Sequence, residues 1–184
     1  VHIMGLHEAT FRYVDFIIST ARFSTQHGTI RRIVEIAEVR KDWKGDPKYV
    51  EVFVDDRKRD VLVPKKFLKG PQNLIKRLNS FDLSKLDVLK ASKRVGFLPP
   101  ERGGSALIPL LCRRLGIDQQ DFLTQILVEA KIKSDLLKLS AKRPECLELP
   151  FLSRAYNCYF SALWRSNYDF KQVLEDWRAW LKKN

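Results

Sequence analysis

Over the first third of the chain the apolar runs are rich in β-branched residues and alternate only imperfectly with polar ones; over the rest, apolar residues recur every three or four positions. Residues 13–23 (YVDFIISTARF) and 29–40 (TIRRIVEIAEVR) are two runs rich in β-branched residues, separated by the polar break STQHG. This reads as a hairpin turning near Gly28. In the second run, strict alternation places Arg32, Val34, Ile36 and Glu38 on one face. Arg31, Ile33, Glu35, Ala37 and Val39 fall on the other, so both faces carry apolar residues. Such a strand needs cover on each side. KDWKGDPK then supplies turn residues, and YVEVFVD (49–55) alternates as a third strand with Val50, Val52 and Val54 on one face. VLVP (61–64) is a short fourth run that stops at Pro64.

From residue 65 the spacing turns helical. The predicted helices are PQNLIKRLNSF, SKLDVLKASKRVGFL with Ser84 as its cap, ALIPLLCRRLGI, and QQDFLTQILVEAKIKSDLLKL capped by Asp118. In the last of these Phe122, Ile126, Leu127, Ala130 and Leu137 form an apolar stripe. Two more follow the break RPECLELP: FLSRAYNCYFSALWRS, and YDFKQVLEDWRAWLKK with Phe170, Val173, Leu174, Trp177 and Leu181 on one face. LPPERGGS (98–105) reads as a linker, because Pro-Pro and Gly-Gly both oppose regular structure. The expected fold class is α+β, an antiparallel three- or four-stranded meander followed by a C-terminal helical bundle. The expected segments are a β-meander over 1–64, a basic helical stretch and linker over 65–105, and the bundle over 106–184.

Composition adds a core and a charge. The 184 residues are 45% hydrophobic, enough to exclude global disorder, and no apolar run reaches the length of a membrane span. No stretch near residue 1 has the layout of a secretory leader. Cys112, Cys146 and Cys158 are odd in number and lack CxxC spacing, so they read as reduced thiols of a cytosolic protein, with Cys112 in the core. Lys and Arg total 34 against 22 acids, a net charge of +12. Between Arg57 and Arg94, twelve basic residues face only Asp60, Asp82 and Asp87. That window predicts a polyanionic partner: nucleic acid, an acidic lipid surface or an acidic protein. The candidate contacts are Arg57, Lys58, Arg59, Lys65, Lys66, Lys69, Lys76, Arg77, Lys90, Lys93 and Arg94. The plainer alternative is a solvated, solubilising face.

Catalytic motifs are missing. GxxxxGK[ST], GxGxxG, GxSxG and HExxH do not occur, and His2, His7 and His27 have no accompanying Cys or carboxylate cluster. Gly103-Gly104-Ser105 reads as a hinge rather than a phosphate cradle. No catalytic, cofactor or metal residue is expected. ALIPLLCRRLGIDQQDFLTQI has the outline of a helix-turn-helix in which Gln119, Gln120, Thr124 and Gln125 would face bases. Asp118, Asp121 and Glu129 would bring negative charge to the same groove, which opposes that reading.

One larger resemblance rests on VDFII (14–18), RRIVEIAEV (31–39) and VEVFVDDRKRDVLVP (50–64). These pieces resemble, in order, the strands at the C-terminal end of archaeal secretion ATPases, the assembly motors of archaella, type IV pili and type II/IV secretion systems. Arg31, Arg32, Glu35 and Glu38 carry the likeness. LLCRRLGIDQQDFLTQILVEAKIKSDLL and YDFKQVLEDWRAWL are similar to the family's closing helices, more loosely. Residues 65–105 have no counterpart, and RPECLELPFLSRAY reads as an insertion. The resemblance implies a region that is inactive by itself, with ATP and Mg²⁺ handled elsewhere in the intact motor. It implies as partners the other subunits of a hexamer and a membrane platform protein, in the cytoplasm or peripherally at the inner membrane face. It also implies that the second face of the hairpin is covered by material upstream of this chain. The alternative from another class is a small basic nucleic-acid-binding protein that uses the 57–94 patch.

Overall fold

The computed structural model describes residues 8–184 apart from 27, 59, 60, 66, 67, 81, 82 and 84. After a single turn α1 (Glu8–Phe11), four strands follow: β1 (Phe16–Thr25), β2 (Gly28–Val39), β3 (Tyr49–Asp56) and β4 (Val61–Pro64). They pair antiparallel in the order β1-β2-β3-β4. Six helices come next: α2 (Gln72–Asn79), α3 (Val88–Ser92), α4 (Leu107–Leu115), α5 (Gln119–Ser140), α6 (Leu149–Arg165) and α7 (Phe170–Lys183). The fold is α+β.

The chain forms two compact units, and neither is continuous in sequence. The sheet unit takes the residues up to Lys69 together with Phe97–Gly116, and the helical unit takes Gly70–Gly96 and Ile117–Asn184. Residues 97–116, including α4, go with the sheet unit.

Two irregularities in register reorganise the sheet faces. Ser19 pairs with Glu35 but Thr20 pairs with Ile33, so Val34 is an extra residue. Ala37 pairs with Glu51 but Ile36 pairs with Phe53, so Val52 is extra on β3. Each such bulge inverts the alternation beyond it. Arg31 and Ile33 therefore share a face with Ile36 and Glu38, which strict alternation had separated. Val50 and Val54 lie on opposite faces instead of one. The β1 partners on the Glu38 face are Phe16, Ile18, Thr20 and Arg22.

At one end both faces of β2 are covered, and Ala37, Glu38 and Val39 are all buried. The Glu38 side is closed by residues 105–107. The Glu38 carboxylate accepts hydrogen bonds from Ser105 Oγ, from the Ala106 amide (2.7 Å) and from the Leu107 amide (3.1 Å). Ser105 Oγ in turn accepts from the Ile108 amide at 3.1 Å. A strand carboxylate and a serine thus satisfy amides at the start of α4 that the helix itself leaves without acceptors. The cover expected from outside this chain is, at this end, supplied from within it. The stretch 98–105 is correspondingly a packed turn rather than a linker. Pro100–Arg102 form one turn of 3-10 helix, Gly103 has φ 84°, and a Cβ on Gly104 would collide with the Leu98 carbonyl. Farther along the same face Phe16 (47%), Ile18 (57%) and Ile33 (44%) stay exposed.

The helical unit is organised around α5, which packs against α3, α7 and the 3-10 turn Pro144–Leu147. Its buried face is Leu123, Leu127, Val128, Ile132 and Leu136. Of the stripe expected from spacing only Leu127 belongs to that face, and Ile126 and Leu137 are exposed. α5 has apolar residues all around, so its neighbours rather than its periodicity choose what is buried. α7 follows its pattern, with Val173, Leu174 and Trp177 buried. Asp118 caps α5 through the Gln120 amide (2.6 Å), and Asp169 caps α7 through the amides of Lys171 and Gln172. Asp87 caps α3 by accepting from the Lys90 amide at 3.1 Å. Ser84, the expected cap, lies outside the described residues.

Candidate functional site

The four motif residues divide into one buried tie and three hairpin positions. Glu38 is the tie just described. Arg31 is exposed opposite Arg22, Arg32 is half-buried opposite Ala21, and Glu35 is half-buried opposite Ser19 and Val54. Two arginines directly across an antiparallel pair repel each other, so Arg22 and Arg31 concentrate positive charge on the Phe16–Ile18–Ile33 face. On the other face a shallow recess of about 330 Å³ is lined by Phe23, Ile30, Arg32, Asp55 and Arg57.

The basic window does not form one patch in a single unit. In the sheet unit Arg57 is paired to Asp55 (3.6 Å) and its guanidinium lies 5.6 Å from the Phe23 ring centre. Lys65 is paired to Glu51 at 2.6 Å, while Lys58 and Lys69 are exposed. Arg59 and Lys66 lie outside the described residues. In the helical unit Lys76 and Arg77 occupy the last turn of α2, and Lys90, Lys93 and Arg94 sit on and just after α3. All five are exposed, as is Lys85, which the sequence reading did not single out. Lys90 pairs with Asp87 at 3.4 Å, and hydrogen bonding from the Lys90 amide is the main cause that lowers the Asp87 carboxyl below its ordinary range. Lys76, Arg77, Lys93 and Arg94 have no ion pair among the described residues, and they are the cations of this window most available to a partner.

The two helices of the helix-turn-helix outline fall in different units. α4 packs within the sheet unit and α5 within the helical unit. The Gln120 side chain donates to the Ser92 carbonyl (2.5 Å), Thr124 Oγ1 donates to the Gln120 carbonyl and the Gln125 side chain donates to Glu129. Three of the four side chains expected at bases are thus committed inside the unit.

The buried polar groups serve structure. Lys131 Nζ meets Asp135 at 2.6 Å, and Trp177 Nε1 donates to the other Asp135 oxygen at 3.2 Å. The Tyr159 hydroxyl donates to Glu129 at 3.3 Å, and burial first, then the Glu129 charge, push its pKa well above the ordinary tyrosine value. Among the described residues no group of His, Cys, Asp and Glu is placed to hold a metal, and no described helix is long and apolar enough to cross a membrane. In Gly103-Gly104-Ser105, the one glycine-rich stretch, Ser105 Oγ is taken by Glu38 and Gly104 is pressed against Leu98.

A feature that the sequence reading missed lies along α6. Tyr156, Phe160 and Trp164 recur every four residues on it and Tyr168 follows in the turn beyond its end, with Tyr156 and Phe160 stacked at 6.4 Å and Trp164 72% exposed. Asn157, Phe160, Ser161, Trp164 and Arg165 line an open concavity of about 710 Å³ there. The spacing alone could have revealed it. No protein-family model matches the chain, and no curated protein sequence matches it.

Proposed function

We propose that the chain is a non-catalytic interaction region of a secretion or pilus-assembly ATPase, contacting neighbouring subunits or a membrane platform protein at the inner membrane face. The observation that supports this is the pairing of Phe16-Ile17-Ile18 with Glu38-Ala37-Ile36, which makes the VDFII and RRIVEIAEV pieces adjacent antiparallel strands. The exposed cations of α2 and α3, and the arginine pair on the sheet, suit acidic partners. Calorimetric titration with ATP and Mg²⁺ tests the reading: no binding is expected, and micromolar binding would remove it.

A second reading, a small basic nucleic-acid-binding protein, draws on Lys76, Arg77, Lys93 and Arg94 alone. Titration with random duplex DNA across salt concentrations separates the two. Tight binding at low salt that falls steeply as salt rises favours this second reading. Absence of binding at low salt eliminates it.

A further inference from the structure

We propose that two copies of this chain join edge to edge through β1, antiparallel and centred on Ser19, into one continuous sheet. The two edges of the sheet are unlike. β4 is four residues long, ends at Pro64 and is bordered by Arg57, Lys58 and Lys65. Shortness, proline and flanking charge are the usual guards against pairing at an edge. β1 has ten residues, no proline or glycine, and Arg22 as its one charge. Among the described residues no strand lies beside its outer side. Its outward N–H and C=O groups ask for another extended strand, and Phe16, Ile18 and Ile33 keep apolar surface open on the same face.

The second copy is the occupant that β1 itself suits. A two-fold axis perpendicular to the sheet keeps the faces matched, so opposed residues must come from the same face. Centred on Ser19, Phe16 falls opposite Arg22, Ile17 opposite Ala21 and Ile18 opposite Thr20. Arg22, already set against Arg31 within its own sheet, gains an aromatic ring across the join. Ile18 of one copy then lies diagonal to Ile18 of the other, and the two Phe16 rings lie at the two ends of the join. A register centred on Arg22 would instead oppose that charge to itself. The pairing needs only this chain, so its failure would leave the motor reading standing.

Sedimentation equilibrium of the full chain, over a wide concentration range, is the primary test. A monomer–dimer equilibrium is expected, weakened about ten-fold or more by Ile18→Lys or by Thr20→Lys, a substitution at a site already exposed. Val61→Lys, on the guarded edge, should leave it unchanged. Circular dichroism and tryptophan fluorescence check that each variant is folded. Ser19→Cys should crosslink across the axis faster than Arg22→Cys, beyond the background set by Cys112, Cys146 and Cys158 in the parent chain. A monomer at every concentration overturns the proposal, as does a dimer insensitive to both lysine variants. Equal crosslinking at positions 19 and 22 overturns the register.

Discussion

The sheet unit and the helical unit hold themselves together by different means. Among the described residues the sheet unit buries six apolar side chains: Ala37, Val39, Trp43, Val52, Leu107 and Cys112. The helical unit buries twenty, from Leu74 to Trp177. Burial of apolar area is the main favourable contribution to folding, so the helical unit has far more to lose before it opens. The sheet unit depends more heavily on one polar tie, Glu38 to the start of α4, and leaves apolar residues of β1 and β2 in solvent. A unit that is thinly packed and open on one face is the better place for a partner; a unit with a saturated core is the better support.

The largest expected effect tests the helical side. Trp177→Ala removes a buried ring and its hydrogen bond to Asp135, and should cost about 4 kcal/mol. Urea unfolding followed by far-UV circular dichroism should shift to lower denaturant, while the sheet-unit transition, followed by Trp43 fluorescence with Trp164 and Trp180 also replaced by Phe, stays in place. If both transitions move together, the two units do not unfold separately and the contrast fails.

Glu38→Ala is the converse test. It leaves the Ser105 hydroxyl and two amides without an acceptor, for a loss of about 3 kcal/mol confined to the sheet-unit transition. Glu38→Gln should lose less, since the amide oxygen can still accept. A shift no larger than that of an exposed substitution would show that the tie matters little.

A smaller effect depends on pH. The raised pKa of Tyr159 means that its contribution is complete below the unfolded value of about 10 and is lost as pH climbs through the folded value. The helical transition should weaken in that alkaline range, and Tyr159→Phe should remove this part of the dependence. The smallest effect belongs to α6: Trp164→Ser, at an exposed site, should change stability by no more than about 0.5 kcal/mol. A large loss would mean that the aromatic row is part of the core.

Much of this was legible in one dimension. The two β-branched runs, the turn at Gly28, the stop at Pro64 and the Asp118 cap all act within a few residues, and each lies where the spacing placed it. The face of α7 was legible because its apolar residues keep to one side. α5 was not, because several of its sides are apolar and its neighbours choose among them. The candidate cations were visible as a linear cluster, but their division between two units was not. Nor was the loss of Arg57 and Lys65 to Asp55 and Glu51, since ion pairs depend on which strands become neighbours.

The run TIRRIVEIAEV shows where the boundary falls. Its strand character, and the need for cover on both sides, follow from its own residues, because β propensity and alternation are local. Which residues share a face was decided by the bulge at Val34, a property of the pairing with β1. What covers Glu38 was decided by Ser105, 67 residues away along the chain. Local patterns are written in neighbouring residues. A partner for a buried carboxylate is selected only when distant segments compete for the same space, and that selection happens in three dimensions.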